Sequence, residues 1–228
     1  MHEKLKWNAI GFEQKTRTLF NEISKEKSEE PLENTRNHQK LQGYLDELNH
    51  LISNIENIKN NVISNLENIF RVKFKTPELI MIAFSRPSIR NIYEDLYKHF
   101  KNRKFKPLQK DDYIELAALG EAANVLALIG DSVLDLGVVQ ILWDSSLSTV
   151  EKLAKKRMKM VSNENLAKIC NQWKIYDFRL NRLNDPSEKN TKLKTLQHEK
   201  ATLVEAIYGV IYLEFGFSEL IRTIPFIQ

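Results

Sequence analysis

The stretch from Ile114 to Trp143, IELAALGEAANVLALIGDSVLDLGVVQILW, constrains the chain most. It contains no proline and is apolar almost throughout, yet Asp131 and Asp135 sit in its middle. Four residues apart on a helix, the two carboxylates leave the same face one turn apart. A helix apolar nearly all round is buried on most sides. Two acids inside such a helix must be solvated in a cleft, paired or bound to a metal. The run is long enough to span a bilayer at about 20 residues. Two central acids would cost roughly 2.5–3.5 kcal/mol each there. The expectation is therefore a central helix of an all-α domain, with no membrane, buried by its own core and by a partner subunit.

The rest of the chain agrees with an all-helical reading. Seven glycines in 228 residues is low for a turn-rich β protein. A single cysteine, Cys170, excludes a disulfide framework and a cysteine-based metal site. It fits a reducing intracellular compartment, with the cytoplasm expected. The first fifteen residues lack an apolar core of signal-peptide length. An organellar address stays open, although Glu3 and Glu13 weigh against it. The net charge of +4 permits an anionic partner without demanding one.

Residues 1–64 read as a helical extension. An amphipathic helix is expected over 3–27, with Trp7, Ile10, Leu19, Phe20 and Ile23 on its apolar side, followed by a polar linker near 28–38. From Leu41 to Phe70 the spacing predicts one long helix. Leu41, Leu48, Ile55, Val62 and Ile69 recur every seven residues, with Tyr44, Leu51 and Ile58 between them. That seam suits either its own domain or a partner helix on 41–70. Further on, Thr76 precedes Pro77 as a helix cap would, and a short helix is expected over 91–102. The stretch 97–110 carries Lys98, Lys101, Arg103, Lys104 and Lys106 with Tyr97, Phe100 and Phe105 interleaved. This composition suits contacts to RNA phosphates; an ordinary solvated loop is the alternative. Ser148 is a candidate cap of the next helix and Ser162 or Asn163 of the one after it, residues 184–195 read as a loop, and Gly216 stops the last long helix.

Four stretches taken in order resemble the ribonuclease III endonuclease domain. They are LENIFRVKFKTPELIMIAFSRPS, LALIGDSVLDLGV, EKLAKKRMKMVSNENLAKIC and LVEAIYGVIYLEFGF. The second is similar to the family signature ERLEFLGDAVL, and the last to DTVEALIGAIYLDGGF. The resemblance covers about 66–226 and implies an all-α, ribonuclease III-like domain over 65–228, with a basic insertion near 90–120. No double-stranded RNA-binding domain is expected after it. The family's catalytic acids map onto Asp131 and Glu205, which are retained, and onto Asn124, Ala127 and Thr202, which are not acids. Asp131 and Glu205 are the implied catalytic and metal-binding pair; Mg²⁺ held by them alone would be weak. Family members dimerise about the signature helix, which implies a homodimer with Leu128 at its interface. Double-stranded RNA is the implied partner, in RNA processing or assembly, with catalysis impaired. Two alternatives stay open at this point. One is an active endoribonuclease with a reduced ligand set; the other is a protein–protein module indifferent to RNA.

Overall fold

The computed structural model describes residues 8–31, 33–143, 149–183 and 192–227. Among the described residues there is no strand; one isolated parallel bridge joins Ser85 and Leu180. The all-α expectation is met.

Helices α1 (Phe12–Glu29) and α2 (Thr35–Asn57) form a hairpin. The expected linker is thus narrower than 28–38, because helix resumes at Thr35. One π-helical segment, Ile58–Val62, joins α2 to α3 (Ile63–Phe70), so the long helix over 41–70 is continuous but carries a local π-turn. Its heptad seam is filled by its own chain. Leu41, Leu48, Leu51, Ile55, Ile58 and Val62 are all buried, so the seam is not left for a partner helix. Five contacts help lock the extension to the rest. Glu78 accepts the N–H groups of Ile10 and Phe12 (both 3.0 Å), supplying the acceptor that the first turn of α1 lacks. The hydroxyls of Thr16 and Tyr93 meet at 2.9 Å in the core. Lys15 bridges Asp112 (2.7 Å) and Glu115 (2.8 Å).

Helices α4 (Pro77–Ala83), α5 (Ile89–Phe100) and α6 (Lys110–Ala117) follow. Thr76 makes no side-chain cap of α4; Glu214 instead accepts the N–H groups of Lys75 (2.8 Å) and Thr76 (2.7 Å). The single helix expected over 115–143 is in fact two. The chain turns at Ala118 and continues as α7 (Leu119–Leu142). Alanine gives no local signal for a break, since it is the best helix former. The break is tertiary: α6 packs on α5, whereas α7 packs on the last long helix, α10 (Leu193–Phe215).

Between them lie α8 (Val150–Met160) and α9 (Asn163–Trp173). Ser162 caps α9 as expected, accepting from Asn165 N–H at 3.2 Å. Thr149 caps α8, and the expected cap Ser148 lies outside the described residues. The chain ends with α11 (Phe217–Thr223) and a 3₁₀ turn. An aromatic cluster closes the core, with Phe70 edge-on to Trp173 (5.2 Å), Tyr208 (5.6 Å) and Phe226 (6.1 Å). By length and composition α7 could cross a membrane, but only part of it is buried in the protein. Its outward apolar surface is a stripe whose exposed members are Val125 (56%), Leu128 (67%), Leu136 (57%) and Trp143 (67%).

Candidate functional site

The site lies where α7 crosses α10, and two glycines set the approach. A β-carbon on Gly130 would lie 1.8 Å from the Glu205 carbonyl oxygen; one on Gly209 would lie 2.1 Å from the Leu126 carbonyl oxygen. The backbones therefore touch, and each glycine faces the other helix. This contact brings together residues 74 positions apart: Asp131 follows Gly130 directly, and Glu205 supplies the touching carbonyl.

The two carboxyls are electrostatically coupled. Burial, and then the charge of Asp131, push Glu205 up to about 7. Asp131 is itself raised, by burial first and then by Asp135, with Arg157 acting in the opposite direction. Asp135 is held by Arg157 of α8 at 2.5 Å, and its other oxygen is buried without a hydrogen-bond partner.

A pH dependence follows. Below the ordinary carboxylate value of 4.5, Glu205 is protonated in both folded and unfolded chains. Between 4.5 and about 7 the unfolded chain ionises first, so stability falls as pH rises. In metal-free buffer Glu205→Gln is expected to remove this loss and to stabilise the protein at pH 8 by on the order of 2 kcal/mol. Urea unfolding of both proteins at pH 5 and pH 8 checks it; an equal fall in the variant would contradict it.

The other family positions look different. Ala127 is buried (5% exposed) and offers no ligand atom. The Thr202 hydroxyl donates to the carbonyl of His198 at 2.9 Å. Asn124 and Thr202 share a narrow slot with Arg86, Tyr176, Arg179 and Glu199, with room for about 10 Å³. There Arg86 pairs with Glu199 at 3.3 Å, and the Tyr176 hydroxyl donates to Glu199 at 2.5 Å. The Arg179 guanidinium lies 4.4 Å over the Tyr176 ring. The bridge between Ser85 and Leu180 fixes both arginines, through Arg86 N–H to Leu180 O and Leu180 N–H to Phe84 O, each 2.8 Å. Among the described residues no group of three or more His, Cys, Asp or Glu side chains is disposed to hold a metal.

The basic stretch lies elsewhere. Arg103 and His99 are engaged by Glu26 of α1, and Lys98 lies 3.3 Å from Asp95. Lys101, Lys104 and Lys106 are exposed and without an ion pair among the described residues. Helix α8 is closer to the acids. Lys152, Lys155, Lys156 and Lys159 are exposed on the helix whose Arg157 reaches Asp135. Sequence reasoning assigned RNA contacts to 98–106 alone. It missed Arg86, Arg157, Tyr176 and Glu199, whose only sequence signal is a charged or aromatic residue near the matched motifs.

Residues 124–216 match the family model described as the ribonuclease III domain. The chain is related to the ribonuclease III family. The match spans less than half of the chain, runs from α7 to the end of α10, and includes Asn124, Ala127, Asp131, Thr202 and Glu205. A similar solved structure is the nuclease domain of ribonuclease III from Campylobacter jejuni. Identity is 24% over 73% of this chain and 91% of that chain, with a TM-score of 0.45. No curated protein matches. Ribonuclease III domains act on double-stranded RNA, usually dimerise and generally use a divalent metal. Against that ribonuclease III pattern, the donor set here does not make a metal centre. One position is an alanine, one hydroxyl is committed to a backbone carbonyl, and the neighbouring acid Asp135 is held by an arginine.

Proposed function

We propose that the chain is a ribonuclease III-like homodimer that holds double-stranded RNA during RNA processing or assembly and cuts it weakly or not at all. The observation that carries this reading is the remodelled crossing of α7 and α10. Asp131 and Glu205 are together, while the positions that should complete the acid set are a buried alanine and a hydroxyl turned onto its own helix. Phosphodiester hydrolysis needs a centre that activates water and stabilises phosphate charge. Two carboxyls without the further acids supply little of either. Mg²⁺ bound by this pair is weak.

Binding asks for less. Phosphate contacts position a duplex without any metal, and α8 carries four exposed lysines, Lys152, Lys155, Lys156 and Lys159. Lys98, Lys101, Arg103, Lys104 and Lys106 add a second basic patch. Charge reversal at Lys152, Lys155, Lys156 and Lys159 separates the contributions of the two patches. The stripe of Val125, Leu128, Leu136 and Trp143 supports a two-fold interface along α7. One observation favours a second reading, an active enzyme with a reduced ligand set: Asp131 and Glu205 remain adjacent. Incubation with long duplex RNA and Mg²⁺, following binding and cleavage in one reaction, tests the proposal.

A further inference from the structure

We infer that fixed guanidinium groups take over, at this site, the positive charge that the family generally draws from a divalent metal. Arg157 does so at Asp135 and its neighbour Asp131, and Arg86 with Arg179 at the Asn124–Thr202 end. RNA phosphates are received without metal at the exposed edges of Arg86 and Arg157; this second part rests on the reading of the chain as an RNA binder.

The placement is specific. Asn124 and Thr202 occupy two positions where the family has acids, and the slot they share contains Arg86 and Arg179. Arg86 is half-committed: its one ion pair among the described residues is Glu199 at 3.3 Å. A guanidinium carries five N–H donors in a planar fork suited to phosphate oxygens, so one carboxylate contact leaves donors to spare. Neither the Arg86 nor the Arg157 side chain is fully buried. Arg157 pairs with Asp135 and Arg86 with Glu199, while Lys200 lies 5.1 Å over the Tyr176 ring. Each of these two ion pairs is close to neutral and exerts little pull on a divalent cation. Because arginine stays charged at any physiological pH, the arrangement is permanent, whereas a metal can dissociate.

This makes restoring the lost acids a two-step problem. An aspartate at position 202 enters the slot that already holds Arg86 and Arg179, and pairs with them. Thr202→Asp with Ala127→Glu therefore binds metal little better than the native chain until Arg86 is also neutralised.

The test uses the full chain in two arms. In the first, Mn²⁺ binding is titrated by the electron paramagnetic resonance signal of free Mn²⁺. The expected result is no saturable site in the native chain below millimolar Mn²⁺, and little gain in the Ala127→Glu, Thr202→Asp protein. Adding Arg86→Gln to that double variant should tighten Mn²⁺ binding at least about tenfold. In the second arm, duplex RNA binding is measured with and without EDTA. EDTA should change affinity less than about twofold, while Arg86→Gln and Arg157→Gln each weaken it about fivefold or more. Arg86→Lys, which keeps the charge and the fold but loses the fork, should fall between native and Arg86→Gln. A saturable micromolar Mn²⁺ site in the native chain, abolished by Asp131→Asn, would overturn the inference. So would RNA binding that collapses in EDTA, or that ignores Arg86→Gln and Arg157→Gln. Failure to bind duplex RNA at any salt would sink the RNA reading and the second part with it; the Mn²⁺ arm still decides the first part.

Discussion

Gly130→Ala lowers the stability of the protein by about 3–5 kcal/mol, at the top of the range for a single methyl group. The reason is that the added carbon would meet backbone, not side chain. It would lie 1.8 Å from the Glu205 carbonyl oxygen and 2.6 Å from its carbon. No rotamer change relieves that contact; α7 and α10 must separate. Gly209→Ala acts from the other side, against Leu126 O at 2.1 Å, and carries a similar cost. Gly43 provides the internal control. It is also in a helix, but a β-carbon there meets nothing within 4 Å. Gly43→Ala should stabilise by about 0.5–1 kcal/mol through backbone entropy alone. Urea unfolding of the three variants checks the contrast. A loss below about 1 kcal/mol in Gly130→Ala would mean that the helices do not touch as described.

Leu128→Asp should dissociate the proposed dimer. Leu128 is two-thirds exposed in the single chain, midway along a stripe that also contains Val125 and Leu136. In a two-fold interface each copy presents the same residue, so the substitution buries two unpaired charges at once. At several kcal/mol for an uncompensated buried charge, the dissociation constant should rise at least about 100-fold. Folding of the single chain should be nearly untouched, because Leu128 contributes little buried surface to it. Sedimentation at micromolar concentration reads the result. A native chain that sediments as a monomer contradicts the dimer itself. A Leu128→Asp chain that remains dimeric places the interface elsewhere.

How much of this was legible in the sequence depended on whether the signal was local. The apolar run over 119–142 and the glycine-stopped helix ending at Phe215 carry periodicity and punctuation, and both were readable. The break at Ala118 was not, because alanine favours helix and the turn is imposed by packing on two different partners. The heptad seam over 41–70 looks the same whether it faces its own domain or another chain; only the burial of Leu48, Ile55 and Val62 shows the former. At the site, Asp131 and Glu205 could be paired from motif order. Arg86 and Arg157 could not, since their partners Glu199 and Asp135 are 113 and 22 positions away. The basic stretch at 98–106 was conspicuous in composition, yet Glu26, from an element that showed no sign of acting as its partner, already engages Arg103.

The central claim is that this site receives duplex RNA without cutting it. The most direct measurement incubates the native chain with long duplex RNA at saturating protein and millimolar Mg²⁺, resolving bound and cleaved RNA in the same reaction. The account predicts a retained, full-length duplex whose binding weakens steeply with salt, as counterion release requires. It also predicts that Asp131→Asn leaves binding unchanged within about twofold, because Asp131 makes no cationic contact to phosphate. Robust Mg²⁺-dependent cutting by the native chain, abolished by Asp131→Asn, would contradict it and would establish Asp131 and Glu205 as a working reduced metal site.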